Sequence, residues 1–334
     1  MTQHTDEKMT ITRLLMGPVI ARAIHVAADL GIADKLMDGE KDIDALSNEL
    51  NVDRNSLYRL MRMLTGHGLF DQNNERFSLT ALGECLASGG TRSLRDFILK
   101  EDEARWRSIG RLKDAVVNGT PSFEQIYGKS YFEFLASDPK MNFRFEAGMS
   151  NLTAEEDDLI AEVLEIGDAG TVVDIGGGRG GFISKILRKH PNVKGVLFEL
   201  PHVVFPSNEL LLNGFTDRCD VVSGSFFESV PKGGDIYTLK RVLHDWDDHS
   251  SREILKNCRK SLGNDGRLMV VEAIVPEEKG SHFIKDVDVY MMALFSGRER
   301  TENEFKELFQ SAGLKIDRIS KTGSMLSIIE AVVE

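Results

Sequence analysis

Residues Thr171 to Gly181 read Thr-Val-Val-Asp-Ile-Gly-Gly-Gly-Arg-Gly-Gly, an acid set just ahead of a run of glycines. Glycines at a turn let the backbone come close to a ligand and leave free amides to donate to it. Gly176, Gly178 and Gly181 satisfy the G-x-G-x-x-G spacing of dinucleotide sites, a weak pattern taken alone. The acid separates the ligands. Asp174 would repel a pyrophosphate, whereas S-adenosylmethionine brings a sulfonium and an ammonium that a carboxylate attracts. Glu199, closing the next apolar run, suits a ribose, whose two hydroxyls a carboxylate can accept; any nucleoside cofactor would use it. The pair reads as a methyl-donor site, against the plainer reading of a structural turn with a capping acid.

A second chemical group is Leu243-His-Asp-Trp-Asp-Asp248, just past the apolar run Ile236 to Val242. A histidine at the C-terminal end of a strand is placed for general-base work, with an unperturbed pKa near ~6.5. Its task would be to take a proton from a phenol of pKa near ~10, so that the oxygen can attack a methyl group. Asp247 or Asp248 suits capping of the helix that follows. Between Ser93 and Ala161 aromatics crowd together: Phe97, Trp106, Phe123, Tyr127, Tyr131, Phe132, Phe134, Phe143 and Phe145. Most such residues build core; a few, among them Phe145 together with Met149, would wall a pocket for a flat substrate.

Elements that position these groups follow from hydrophobic periodicity. Phe182, Ile183, Ile186 and Leu187 form the apolar stripe of a helix packed on a sheet. Strands are predicted at Val172 to Ile175, Lys194 to Phe198, Cys219 to Ser223, Ile236 to Val242, Arg267 to Ile274, Lys315 to Ser320 and Ser324 to Val333. Their alternation with helices predicts an α/β fold, a mostly parallel seven-stranded sheet covered on both faces. Only Lys321-Thr322-Gly323 separates the last two strands, so the sheet should end in an antiparallel hairpin, as methyltransferase folds do and all-parallel dinucleotide domains do not. Capping boxes are expected at Ser250/Glu253 and Thr301/Glu304.

Upstream, Ile11 to Leu36 reads as helix with a kink or break at Gly17-Pro18, and Asp42 to Leu50 and Asn55 to Gly66 as two short helices. Ser47, Leu50, Leu57, Leu60 and Leu64 fall where a helix-turn-helix keeps its core, and a turn at Asn73-Asn74 predicts a hairpin wing. A winged helix is most often a DNA reader, and Arg54, Arg59 and Arg62 would face phosphates. Asp44, Glu49 and Asp53 nearby should offset them, which favours a structural or dimerising module with Ile11 to Leu36 as the partner-helix surface.

The chain has 334 residues, a formal net charge of -12 and 41% hydrophobic residues. That length allows two cored domains, and the acidic balance argues against a general nucleic-acid or anionic-membrane binder. Cys85, Cys219 and Cys258 are scattered without metal-ligand spacing, so no disulfide framework is expected; no ligand cluster appears, so no metal is expected either. No apolar run is expected to reach the ~18 residues of a membrane span. A cytoplasmic protein is expected.

The whole chain resembles the caffeate-type O-methyltransferase family, plant enzymes together with bacterial ones that methylate phenazines and polyketide-derived or mitomycin-like aromatics. The matching segments are Ala21-Arg-Ala-Ile-His-Val-Ala-Ala-Asp-Leu-Gly31, Asp174-Ile-Gly-Gly-Gly178, Leu197-Phe-Glu-Leu-Pro201, Gly224-Ser-Phe-Phe227, Leu243-His-Asp-Trp246 and Gly297-Arg-Glu-Arg-Thr301, in the family's order. The resemblance implies a mainly α-helical winged-helix dimerisation domain ahead of a Rossmann-like domain that binds S-adenosylmethionine. Domains are then expected at residues 1–92 (winged helix, homodimer), 93–154 (helical connection to the substrate pocket) and 155–334 (methyltransferase).

By the same resemblance His244 is the base, and Glu272 and Glu299 are the two acids that hold it. Gly176 and Glu199 are cofactor positions, Ser225 and Phe226 the adenine-contacting pair, Lys240 a cofactor-side lysine and Met291 a substrate-lining residue. Many plant members carry an aspartate where this chain has Ser225, and the loop after Met291 looks shortened. The implied reaction is O-methylation of a phenolic hydroxyl on a small aromatic substrate. N-methylation or other chemistry with the same cofactor is the near alternative. A winged-helix regulator with a cofactor-sensing domain is the distant one.

Overall fold

The computed structural model describes residues 3–90, 92–100, 103–204, 214–263 and 265–334. It divides into two units, Met1–Glu101 with Ala147–Leu152, and Asp102–Glu146 with Thr153–Glu334.

In the first unit, helices Gln3–Leu14, Gly17–Asp29 and Ile32–Leu36 follow one another. Pro18 sits in the first turn of the second helix, where its missing N–H costs nothing, so Gly17-Pro18 starts a helix rather than kinking one. Strand β1 (Lys41–Asp42) leads into helix Ile43–Leu50; Asn51, in the left-handed region at φ 54°, ends that helix, and Asp53 caps Arg54–Gly66 by accepting from the Ser56 amide. Strands β2 (Phe70–Asn73) and β3 (Arg76–Leu79) form the hairpin, and β1 pairs with β3 in the sheet order β1-β3-β2. Ser47, Leu57 and Leu64 are buried, Leu50 and Leu60 partly so, around Met61, Phe70 and Phe77.

The arginines are matched differently from expectation. Arg54 bridges Asp44 (2.7 Å) and Glu75 (2.8 Å) across the wing, while Glu49 holds Lys41 (2.6 Å) and Asp53 is spent on its cap. The membrane expectation also needs correcting. Helical residues Asp6–Asp29 reach a mean hydropathy of 1.3 over an 18-residue window, enough to span a bilayer by length and composition. Averaging dilutes Arg13 and Arg22 among Leu14, Leu15, Met16, Val19 and Ile20, which a count of uninterrupted apolar residues does not. Most of this stretch is solvent-facing, with Met9, Ile11, Leu14, Leu15, Met16 and Val19 exposed.

The second unit is built on a seven-stranded sheet: β4 (Thr171–Ile175), β5 (Lys194–Glu199), β6 (Cys219–Ser223), β7 (Ile236–Lys240), β8 (Arg267–Ala273), β9 (Leu314–Lys321) and β10 (Leu326–Val333). Its order is β6-β5-β4-β7-β8-β10-β9, parallel from β6 to β8, with β10 antiparallel to both neighbours. The fold class expected from the strand spacing is present, hairpin included.

One face of the sheet packs on Ile254, Leu255, Phe305 and Phe309 from helices Asp248–Ser261 and Glu302–Ser311; the other packs on Phe182, Ile183, Ile186 and Leu187 of helix Gly181–Lys189. Two boundaries differ from the pattern. Strand β7 ends at Lys240 instead of Val242 because Arg241 turns to φ 52°. Helix Asp248–Ser261 begins at Asp248, two residues before the expected Ser250, capped by Asp247 on the Ser250 amide (2.7 Å); Glu253 pairs with Lys256 instead of closing a box. The Thr301/Glu304 capping box is present.

Candidate active site

Parallel strands end together, so the loops after β4, β5, β7 and β8 share one edge of the sheet. After β4 the chain turns through Gly176 (φ 66°), Gly178 (φ 56°) and Gly180 (φ 81°), a conformation that L side chains rarely adopt. Asp174 lies beneath this turn, 1% exposed. Its Oδ1 accepts from the Thr238 hydroxyl at 2.7 Å; its Oδ2 is buried with no partner. A Cβ at Gly177 would stand 2.5 Å from that orphan oxygen, so only glycine lets the backbone pass over it. Burial pushes the Asp174 carboxyl up to about 7, against the pull of Thr238 and Lys240. An unpaired buried carboxylate oxygen under an open glycine turn is costly unless a cation completes it. The residues therefore fit S-adenosylmethionine.

Glu199 ends β5, with Oε2 accepting from the Gly178 amide (3.0 Å) and Oε1 from Leu200 (2.7 Å); burial raises its pKa in spite of both bonds. Each oxygen keeps a lone pair for a hydroxyl. After β6, Phe226 is half-buried and its ring edge lies 3.6 Å from where a Gly176 Cβ would be, so it borders the same turn. Ser225 accepts weakly from the Phe227 amide (3.3 Å). Lys240, expected on the cofactor side, is paired with Asp157 of helix Pro139–Val163 at 2.5 Å, Asp157 being buried and Lys240 partly so. Beside it Arg241 makes a bidentate pair with Glu156 (3.0 and 3.1 Å).

His244 sits in the single 3-10 turn Leu243–Asp245 that follows Arg241, 8% exposed. Its Nδ1 is 2.8 Å from Glu299 Oε1, an arrangement that orients the ring and leaves Nε2 without a hydrogen bond of that length, its nearest acid being Asp245 at 3.7 Å. Glu272, at 0% exposure, does something else. Its Oε1 accepts from the backbone amides of Val242 (2.9 Å), Leu243 (2.9 Å) and His244 (3.4 Å), so it holds the turn rather than the imidazole. Of the two acids expected to hold the histidine, Glu299 bonds the ring, while Glu272 bonds the backbone and acts on the ring through its charge.

Glu299 is set in place by Asp288, which accepts from its amide (2.9 Å). Arg300 locks the two loops together by donating to the carbonyls of Leu243 (2.8 Å) and Trp246 (2.9 Å). Gly297 is required here, since a Cβ would fall 2.0 Å from the His244 carbonyl oxygen.

Burial alone would lower the His244 pKa, but the charges of Glu272, Asp245 and Glu299 prevail and hold it up at about 9. This departs from the near-neutral base expected from residue type. Asp245, 3.7 Å from Nε2, is itself pushed up to about 7 by burial. Ligand-type atoms of His244, Glu272 and Glu299 lie within 4.8 Å of one another, a cluster that sequence separations of 28 and 55 concealed and that the expectation of no ligand cluster missed. Nδ1 and one oxygen of each acid are already engaged in hydrogen bonds, the geometry of an oriented imidazole.

Phe145 and Met291 come together in an aromatic cluster with Phe123, Tyr131, Phe132 and Phe295. Phe132 stacks on Trp246, centroids 5.6 Å apart, which ties this cluster to the His244 loop. Met149 belongs to the Ala147–Leu152 stretch of the first unit and is half-buried there. Arg105, buried among these rings, donates to the hydroxyls of Tyr131 (2.7 Å) and Tyr290 (3.0 Å); no motif in the sequence points to it.

Residues 109–315 match an O-methyltransferase domain, and residues 12–89 an O-methyltransferase dimerisation domain. The chain is 36% identical to a phenazine O-methyltransferase of Lysobacter antibioticus, over 96% of this chain and 95% of that protein. It is 33% identical to the mitomycin biosynthesis 6-O-methyltransferase of Streptomyces lavendulae, over 94% and 91%. Among solved structures, a methyltransferase of calicheamicin biosynthesis in its SAH-bound form superposes with a TM-score of 0.88 at 34% identity, covering 100% of both chains.

Proposed function

The chain belongs to the O-methyltransferase family and is an S-adenosylmethionine-dependent enzyme; from that premise we propose that it methylates a phenolic hydroxyl on a small aromatic or polycyclic metabolite, with His244 as the general base. When bound, S-adenosylmethionine supplies the methyl group on a cationic sulfur. Asp174 contributes negative charge beneath the glycine turn, Gly176 allows close backbone approach, and Glu199 accepts from the ribose. Ser225 and Phe226 border the adenine, while Lys240 acts at one remove by neutralising Asp157.

The observation that carries the base assignment is the 2.8 Å contact between Nδ1 and Glu299, because it presents Nε2 to a substrate hydroxyl. The proton moves from the phenol oxygen to Nε2, and the imidazolium so formed is stabilised by Glu299, Glu272 and Asp245. A base of pKa about 9 is closely matched to a phenol of ~10, which favours proton transfer once the ring is neutral. Phe145 and Met291 are assigned to the walls that receive the flat substrate, and no metal takes part. The exposed apolar stretch from Met9 to Val19 overlaps the dimerisation-domain match from residue 12, which supports a homodimer through the first unit. The acidic balance and the pairing of Arg54 speak against a nucleic-acid partner, and the kinship with biosynthetic enzymes supports a cytoplasmic location.

The test is product analysis with a panel of hydroxy- and amino-substituted polycyclic aromatics. Methyl ethers that disappear in His244→Ala support the proposal. Methylamines formed equally well by the variant would replace it with N-methylation.

A further inference from the structure

The glycine turn is bordered by one more acid than the family motifs account for. Glu146, half-buried on helix Pro139–Val163, brings its Oε2 to 3.4 Å from the position a Cβ would take at Gly178. Gly178 itself donates its amide to Glu199 Oε2 at 3.0 Å. Two carboxylates therefore converge on Gly178, while the orphan Oδ2 of Asp174 lies under Gly177. One cation stands close by: Arg179, whose guanidinium rests 5.5 Å from the Phe143 ring centroid and whose buried Nε has no hydrogen-bond partner. Lys240, whose charge acts on Asp174, is already paired with Asp157. Acids gathered in a poorly solvated recess repel one another, and a bound cation relieves the repulsion.

We propose that Glu146 is a third carboxylate of the cofactor seat and that it receives the ammonium group of S-adenosylmethionine. The inference rests on the reading of the glycine turn as the seat of that cofactor. The two ends of the turn face different neighbours. At Gly176 an added Cβ would meet Val242 at 2.9 Å, two residues before the base, so the transferable methyl and its sulfur belong on that side. Gly178 marks the opposite end, where Glu199 is committed to hydroxyls and Glu146 is left for the ammonium.

The charged groups around Glu146 are Glu199 from the end of β5 and Arg179 from the turn; Arg144 on its own helix is exposed. Burial first, then the charge of Glu199, pushes the Glu146 carboxyl up to about 8, with Arg179 opposing. At pH 7 the empty site then carries a proton on Glu146 that a bound ammonium displaces.

The test is titration calorimetry at pH 7 in buffers of different ionisation enthalpy, with S-adenosylmethionine and S-adenosylhomocysteine, which keeps the ammonium and lacks the sulfonium charge. Wild type should bind both and release protons. Glu146→Gln should weaken both about tenfold and release about one proton fewer, the Asp174 contribution being common to both proteins. Should that variant not fold, the wild-type proton release, declining as pH rises through about 8, gives the same readout. Unchanged affinity and proton count in the variant, or a loss confined to S-adenosylmethionine, would overturn the assignment. Wild type that binds neither ligand would overturn the cofactor seat itself, and the proposal with it.

Discussion

Replacing Glu299 by glutamine removes one charge from the His244 cluster while keeping a group that can accept from Nδ1. His244 stands at about 9 against an ordinary 6.5, so the surrounding acids favour its imidazolium by about 3 kcal/mol net of burial. Three acids share that effect. If Glu299 supplies about a third, the variant loses about 1 kcal/mol and the pKa falls by a little under one unit.

The sign follows from the active form. The base works as neutral imidazole, which at pH 7 is about one molecule in a hundred in the wild type and about one in ten in the variant. Turnover should therefore climb with pH toward about 9 in the wild type and toward about 8 in Glu299→Gln. The variant should also reach a lower plateau, because it is the weaker base and its ring is held less firmly, so the wild-type advantage grows with pH. A readout independent of substrate is NMR titration of histidine labelled at Cε1, with His244 identified among the eight histidines by its absence in His244→Ala. A His244 pKa that stays the same or rises in Glu299→Gln would refute the electrostatic reasoning.

Asp174, raised to about 7, must lose its proton to attract a cation, so affinity for S-adenosylmethionine should improve as pH rises through 7; Asp174→Asn should lose that part of the dependence and keep the part that Glu146 contributes near 8. The folded pKa also lies above the unfolded value of 3.8, so this group's contribution to stability is present at low pH and lost between 3.8 and about 7; Asp174→Asn should unfold at a higher temperature than wild type at pH 8. Glu272→Ala strands three buried amides at roughly 1 kcal/mol each, and should lower the urea midpoint by the equivalent of about 3 kcal/mol. A charge in the exposed apolar stretch, Val19→Asp, should halve the mass seen by sedimentation without melting the helices; an unchanged mass would remove that stretch from the dimer contact.

Local rules carried the sequence reading as far as local structure reaches. The strand positions and the closing hairpin could be inferred because buried runs, glycine turns and a three-residue hairpin loop are written in neighbouring residues. The acid before the glycines declared its chemistry by type. What stayed hidden was pairing across the sheet: Glu272 and Glu299 meet His244 over 28 and 55 residues, and which acid holds the ring and which holds the backbone depends on side-chain reach. The commitment of Lys240 to Asp157 across 83 residues, and the approach of Glu146 to Gly178, are of the same kind. The His244 pKa was misjudged for a related reason, since residue type sets 6.5 and only three-dimensional neighbours move it.

The base assignment is tested most directly by measuring methyl transfer and cofactor binding side by side in wild type and His244→Ala. The ring is oriented by Glu299 on one side, and the cofactor seat is built from residues after β4, β5 and β6 on the other. The account therefore predicts a loss of methyl transfer on the order of 10²- to 10⁴-fold, with affinity for S-adenosylmethionine kept within about twofold. Methyl transfer that survives the substitution at wild-type rates, at any pH below about 9, would contradict it.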